Sequence, residues 1–293
     1  MQLLRIRNII DDPYQQVRQA VVEQISKDRA AAGLASVELD LFSSAIADQH
    51  CQEMAARSYL SHWNLRGLLP HQRYHLAGGR DHVQENLSLL SMISSQPHPL
   101  PTSPDDLLPY LLDAHQRLLN EQPPLDGHRR NILDPAHTHV GIGLGVVGQQ
   151  LTVGQLFVNR YVQLAPFPQE LPKGSIRVEG QVLQEGYGPY YCALFYEGEP
   201  LPRRPDDLNE TYAYSDTEGD LSGTTPPWKM RFSKSNGRFR FSVSVQARGS
   251  GYYHLLLWVR DRVPLIPYNL SRAGSYQVDT KQAIPCAGWI FRG

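Results

Sequence analysis

Three residues of this chain carry side chains suited to metal or proton chemistry, each inside a compact motif. They are His62 in Ser61-His62-Trp63, Glu85 in Gln84-Glu85-Asn86-Leu87, and His128 in Asp126-Gly127-His128-Arg129-Arg130-Asn131-Ile132-Leu133. Histidine is the commonest protein ligand for zinc, and two histidines with a carboxylate make an open metal site. Such a site keeps a position for water, which the metal acidifies for attack on a substrate. No HExxH or CxxC spacing enforces that geometry locally, so only tertiary structure can bring the three together. The chain has eleven histidines, and surface or hydrogen-bonding roles stand open for each.

Neighbouring residues have two readings apiece. Asn86 orients a cleft ligand or satisfies backbone groups in a tight turn. Asn131, one helical turn beyond His128, supports that histidine or caps the short helix that carries it. Trp63 reads as packing, and His137 and His139 as surface residues able to extend the cleft. A cysteine nucleophile is conceivable at Cys51, but a position on a buried helix face makes an inert thiol the better reading. No GxSxG elbow, P-loop or dinucleotide fingerprint occurs.

Asp12-Pro13 supplies an N-cap followed by proline at the first helical position. Tyr14, Val17, Val21 and Ile25 then recur at helical spacing, and Gly33 is a natural stop. A second helix is expected over 37–57, with Leu41, Ala45, Ile46, Cys51 and Met54 inward, and a third over 105–119. Asp105 and Asp106 favour the positive end of the third helix's dipole. Between them, 91–104 reads as a proline-, serine- and histidine-rich loop. Val140, Ile142, Leu144 and Val146 alternate with Gly141, Gly143 and Gly145, and a Gly148-Gln149-Gln150 turn leads into a second strand over 151–161. The glycines leave one strand face bare, so another element, by expectation a helix, must approach it closely.

Composition changes near Leu164-Ala165-Pro166-Phe167-Pro168, and the prolines make 164–174 an extended connector. This places one domain over 1–163, a linker over 164–174 and a second domain over 175–293. Strands are expected over 175–182, 190–195, 230–233, 239–245, 251–259, 275–278 and 287–291. Ser235-Asn236-Gly237 is the strongest short hairpin signal. Seven short strands at this spacing read as an antiparallel β-sandwich. Asp206-Asp207, Asp216 and Glu218-Gly219-Asp220 form an acidic stretch without regular calcium-ligand spacing, read as solvated loop.

With a net charge of −1 over 293 residues, the chain lacks the concentrated basic surface that nucleic-acid binding needs. No apolar run is long enough for a transmembrane segment. The first seven residues are interrupted by Arg5 and Arg7 and followed by Asp11-Asp12, so they are no signal peptide as they stand. Either the protein stays inside, or the chain begins after a removed leader. Three cysteines, Cys51, Cys192 and Cys286, exclude a disulfide framework; Cys192 and Cys286 either pair or act as two buried thiols.

The order of the motifs is more specific than any one of them. Asp28-Arg29-Ala30-Ala31-Ala32-Gly33-Leu34 comes first, followed by Leu41, Ala45 and Met54. Ser61-His62, Gln84-Glu85-Asn86-Leu87, Gly127 to Leu133 and Val140-Gly141-Ile142-Gly143 complete the set. This series resembles the CAP superfamily, which includes cysteine-rich secretory proteins, venom allergens and plant pathogenesis-related proteins. The likeness is to its bacterial branch without conserved disulfides and covers 14–162. It implies an α-β-α sandwich and a cleft with two histidines and two acids, of which His62, Glu85 and His128 match three.

The fourth acid, in many relatives a glutamate three residues after a tryptophan, falls here on Leu118, with His115 at the tryptophan's place. Glu121 and Asp126 are substitutes for it, each also readable as an ordinary loop carboxylate. The overall expectation is an α+β protein, an N-terminal CAP-like α-β-α sandwich followed by an all-β antiparallel sandwich. His62 and His128 would hold a divalent metal, zinc by family habit, with Glu85 as the acid and Asn86, Asn131 and Asp126 lining the cleft behind them. The resemblance implies a secreted or cell-envelope protein whose cleft takes an unidentified ligand, a lipid or another envelope component. A zinc-dependent hydrolase using Glu85 as general base and an interaction module with a vestigial cleft are the alternatives. Oligomeric state stays open.

Overall fold

A computed structural model describes residues 12–91, 103–211, 213–215, 219–261, 280 and 282–293. The described chain divides into two compact units. The first takes the chain up to Ala77, Val83–Val158 and Leu201–Tyr214, and the second takes Gly78–His82, Asn159–Pro200 and Ser215–Gly293. This interleaving differs from a single boundary at 164–174, because local composition cannot reveal an excursion such as Leu201–Tyr214.

In the first unit, α1 (Gln15–Ala31) buries Val17, Val21, Val22 and Ile25 on one face. It ends where Gly33 adopts φ +76°, a left-handed conformation natural to glycine. The expected second helix is shorter than its sequence pattern. Glu38–Leu39 forms a short strand, β1, and α2 (Leu41–Arg57) starts only after Asp40, whose carboxylate accepts the Ser43 N–H at 2.7 Å. Two further elements are α3 (Pro70–Leu76) and β2 (His82–Ser91), for which the sequence pattern gives no expectation. The helix expected over 105–119 is α4 (Pro104–Leu119), and α5 (Gly127–Ile132) carries the His128 motif. The hairpin strands are β3 (His139–Val147) and β4 (Gln150–Asn159), and the sheet runs β1-β3-β4-β2.

Strand alternation builds the two layers around this sheet. Val140, Ile142 and Leu144 of β3, with Leu151, Val153 and Phe157 of β4, pack with Val17, Val21 and Ile25 of α1 and Leu111 and Leu118 of α4. Leu156 and Val158, one residue out of phase, meet Ile46 and Ala47 of α2 with Tyr74 and Val83. The glycine strand behaves as its pattern demanded. A Cβ on Gly141 would lie 2.4 Å from the Ser43 backbone, and one on Gly145 2.2 Å from the Cys51 carbonyl oxygen. Helix α2 therefore lies directly on the β3 backbone, and the first unit is an α-β-α sandwich.

Two buried arginines lock the layers; Arg29 lies in the first motif of the ordered series, and Arg18 carries no sequence signal. Arg18 pairs with Asp12 and Asp48, both at 2.8 Å, and donates to the Ile142 carbonyl. Arg29, wholly buried, donates to the carbonyls of Ala35 at 2.9 Å, Ile132 at 2.7 Å and Asp134 at 2.8 Å. A guanidinium against the last carbonyls of α5 complements the negative end of that helix and anchors the His128 segment to α1.

The second unit holds two antiparallel sheets. One orders β5 (Val162–Leu164), β6 (Ser175–Val182), β10 (Arg238–Ser244) and β9 (Arg231–Phe232) as β5-β6-β10-β9. The other orders β12 (Ile284–Arg292), β11 (Tyr252–Asp261), β7 (Tyr187–Gly198) and β8 (Asp220–Thr225) as β12-β11-β7-β8. Ile176, Val178, Phe239, Phe241 and Val243 from the first sheet share a core with Leu194, Leu255, Leu257 and Phe291 from the second. Asn236-Gly237 turns the β9–β10 hairpin, with Gly237 at φ +68°. Strand β5 falls inside the expected domain 1–163 and linker, and β8 starts at Asp220, the last residue of the acidic stretch, and runs through residues where no strand is expected; both owe their state to pairing partners distant in sequence. The strand expected over 275–278, Asp216, Glu218, most of the loop over 91–104 and the amino-terminal segment lie outside the described residues. All three cysteines are free and buried, so Cys192 and Cys286 do not pair. Among the described residues no helix is long and apolar enough to cross a membrane.

Candidate functional site

His62 follows α2 in a loop that begins at Ser58, which takes φ 56° at the helix C-cap. The Asn64 carboxamide oxygen accepts the backbone N–H of Arg66 at 3.0 Å and of Leu68 at 2.9 Å, fixing the loop. Arg73, on α3, grips it from below by donating to the carbonyls of His62 at 2.6 Å and Leu68 at 2.9 Å. The same guanidinium donates to the Glu85 carboxylate on β2. The other Glu85 oxygen accepts from His62 Nδ1 at 3.0 Å.

Glu85 is a buried anion with both oxygens engaged. Burial alone would push its carboxyl pKa up; Arg73 and the His62 hydrogen bond outweigh it and bring the group down to about 2. A carboxylate so held stays ionised and has little basicity to offer near neutral pH.

His128 lies in α5. Its Nδ1 meets Glu121 at 2.6 Å, and its backbone N–H donates to the second Glu121 oxygen at 3.0 Å. Of the two candidate carboxylates, Glu121 is the one that reaches His128. Asp126, grouped with the cleft residues on sequence, instead sits at the N-cap of α5 and pairs with the exposed Arg130 at 3.1 Å. The sequence could not separate the two, because Glu121 comes from the loop after α4 and only the turn of that loop carries it to the histidine.

The His62 and His128 ring centroids are 6.5 Å apart, so the two motifs converge on one site. Each imidazole donates its Nδ1–H to a carboxylate, an arrangement that in the neutral tautomer places the lone pair on Nε2. Neither Nε2 hydrogen-bonds to a described residue. The rings differ in exposure: the His62 side chain is 11% exposed and that of His128 33%.

Asn86 and Asn131 hold His128 from behind. Asn86 donates to the His128 carbonyl at 3.1 Å and accepts from Asn131 Nδ2 at 2.8 Å, and Asn131 Oδ1 meets His137 Nε2 at 2.9 Å. Gln155 extends the chain from Asn86, at 3.3 Å, to His115 Nδ1, at 3.1 Å, and His115 Nε2 reaches Asp28 at 3.0 Å. Asn131 is thus a link between Asn86 and His137. His137 is buried, stacked on Phe157 at 4.7 Å, rather than exposed. His139 is half-buried and meets Thr138 at 2.8 Å.

Several site residues gave no sequence signal. Besides Arg73, these are His50 and Tyr214. His50 lies in α2, donates Nε2–H to the Ser61 carbonyl at 2.7 Å, and is held neutral, burial and the neighbouring Arg73 taking its pKa down to about 3. The Tyr214 ring lies 4.5 Å from that of His62, and its hydroxyl oxygen accepts the Glu85 N–H at 2.8 Å. Trp63 packs under the Arg203 guanidinium, 5.2 Å from its ring. Cys51 is wholly buried, which pushes its thiol well above the ordinary range and leaves it inert.

Residues 22–161 match the family model described as CAP, the cysteine-rich secretory protein family. That span contains His62, Glu85, Glu121 and His128. The segment is a CAP domain.

Solved structures similar to the chain include an extracellular protein with an SCP domain from Bacillus anthracis, at 19% identity and TM-score 0.36. That match covers 55% of this chain and 45% of the other. An outer surface protein from Borrelia burgdorferi shows 17% identity and TM-score 0.38, with coverage of 50% and 94%. A cysteine-rich secretory protein from Staphylococcus aureus shows 16% and 0.33, with coverage of 51% and 40%. The match thus spans under half the length of the first and third of these chains. No curated protein matches the chain. The CAP domain ends where the second unit's strands begin, and those strands lie outside the family match.

Proposed function

We propose that the CAP cleft is a binding site in which the Nε2 atoms of His62 and His128 hold a divalent metal, zinc by donor type, together with a ligand from the cell envelope. The observation that carries this reading is the pair of carboxylates behind the histidines. Metal-binding histidines give their second ring N–H to a carboxylate or carbonyl, which fixes the tautomer and strengthens the donor. Glu85 and Glu121 stand in those places. Two imidazoles sharing a tetrahedral zinc have centroids about 5 Å apart, so binding draws the more exposed His128 ring inward from 6.5 Å. A bound ion would supply Lewis acidity and a water position.

A hydrolase using Glu85 as general base is less well supported, since neither oxygen is free and the carboxyl is held at about 2. Export to the cell surface is supported by the description of the family as secretory. Chelator-stripped full-length protein titrated with Zn²⁺ should take up one equivalent. At a hundredfold excess over Kd its unfolding free energy should rise by about 2.7 kcal/mol. A His62→Ala/His128→Ala variant should show neither effect. No stoichiometric uptake and no stabilisation in the unmutated protein would reject the reading and favour a cleft without metal.

A further inference from the structure

The family match stops at residue 161, yet one wall of the His62 site comes from Leu201–Tyr214, which lies in sequence between β7 and β8. The described residues of this strap are fixed at several points within the first unit. The Arg203 N–H donates to the Leu65 carbonyl at 2.9 Å, and Gly67 admits the Leu201 carbonyl to a position that a Cβ would block at 2.2 Å. Leu208 is fully buried with Cys51, Met54, Tyr59 and Leu87. The Asn209 side chain accepts the Leu60 N–H at 2.9 Å, and Thr211 and Ser61 hydroxyls meet at 2.6 Å. A strap tied to Leu60, Ser61 and Leu65 brackets His62 on the chain itself.

We infer that the strap is a constitutive wall of the cleft and that its Tyr214 is a positioning residue for His62. The phenol ring lies against the imidazole with centroids 4.5 Å apart and planes tilted by 50°, while its hydroxyl oxygen accepts the N–H of Glu85, the residue whose carboxylate holds His62 Nδ1. One side chain therefore touches both members of the His62–Glu85 pair. The imidazole can neither swing toward the strap nor admit a ligand from that side. What approaches must enter from the His128 side, where the ring is 33% exposed against 11% for His62. The CAP cleft of this chain is thereby a one-sided slot completed by residues outside the CAP sequence.

The metal consequence rests on the function proposed above; the shielding of His62 does not. Full-length Tyr214→Ala and Tyr214→Phe variants are compared with unmutated protein by two readouts. The first is the rate of His62 carbethoxylation by diethyl pyrocarbonate, followed by peptide mass spectrometry, with buried His50 as an internal check on folding. Tyr214→Ala should react several-fold faster at His62 alone, and Tyr214→Phe, which keeps the ring, should stay near the unmutated rate. The second is Co²⁺ affinity and absorption spectrum: Tyr214→Ala should weaken binding about tenfold and change the spectrum, with Tyr214→Phe recovering most of both. An unchanged His62 rate in Tyr214→Ala, with His50 still protected, overturns the wall. Faster labelling with unaltered Co²⁺ binding overturns the positioning role. Absence of Co²⁺ binding by the unmutated protein overturns the metal reading, and the labelling still decides the strap.

Discussion

Replacing Arg73 by methionine isolates what holds the site together. Arg73 is a 9%-exposed guanidinium bonded to the Glu85 carboxylate and to the carbonyls of His62 and Leu68. Against the burial that opposes ionisation, it is the largest influence lowering the Glu85 pKa from 4.5 to about 2. A depression of that size corresponds to about 3 kcal/mol of folding stability at neutral pH. Two carbonyls losing a donor add about 1 kcal/mol each. Removing one member of a buried ion pair costs about 3–5 kcal/mol in other proteins, so Arg73→Met should lose about 4 kcal/mol.

The sign with pH follows from the depressed pKa. Glu85 contributes stability above its unfolded pKa of about 4.5, and that contribution fades as pH falls toward 2. The deficit of Arg73→Met should therefore be full at neutral pH and shrink below about pH 4.5. Urea unfolding followed by helical circular dichroism is the assay, because every α-helix among the described residues belongs to the first unit. Adding Glu85→Gln to Arg73→Met removes the stranded charge and should restore about 2 kcal/mol, a coupling read from the double-mutant cycle. A single-variant cost under about 1 kcal/mol, or no coupling, would refute the claim that a buried ion pair organises the site.

Gly143→Ala would place a Cβ 2.5 Å from that of Ala47; the overpacking should cost about 3 kcal/mol in urea unfolding. Gly148→Ala, at φ +60° with open space around it, should cost only about 1 kcal/mol, and equal costs would argue against close α2 packing. His50 is neutral when folded, its pKa taken from 6.5 to about 3. The unfolded chain binds that proton first, so stability is complete above about pH 6.5 and falls on acidification by about 1.4 kcal/mol per pH unit. His50→Gln should flatten that slope between about pH 6.5 and 5; an identical slope would show that His50 is not the group responsible.

Sequence signals are legible where local physics decides. Gly33 follows the end of α1, Asn236-Gly237 turns a hairpin, and the alternating glycines of β3 announce a close helix. Helix α1 itself starts at Gln15 with Tyr14 at its N-cap, two residues later than Asp12-Pro13 implies. His62, Glu85 and His128 were legible because each lies in a short motif whose order resembles a known series. What was missed depends on contacts made far along the chain. Nothing around Arg73 distinguishes it from other surface arginines until α3 turns it under Glu85. Tyr214 follows residue 85 by 129 positions and meets it through a strap that sequence composition assigns to the other domain. Glu121 and Asp126 are alike on paper, and a loop turn alone decides which reaches His128.

Strand β2 explains how two remote histidines come to one place. Successive side chains on a strand point to opposite faces. Val83 and Leu87 pack in the two clusters on the α2 side, and Glu85 between them shares that face and takes His62 and Arg73. Asn86 points the other way, to Gln155 and the carbonyl of His128. Two adjacent residues thus pin the side chain of one histidine and the backbone of the other, from opposite faces of a single strand. A slip of β2 by one residue would exchange those faces and lose both attachments together. The Glu-Asn pair is therefore one device. Register of an edge strand, rather than the histidines themselves, sets the width of the cleft.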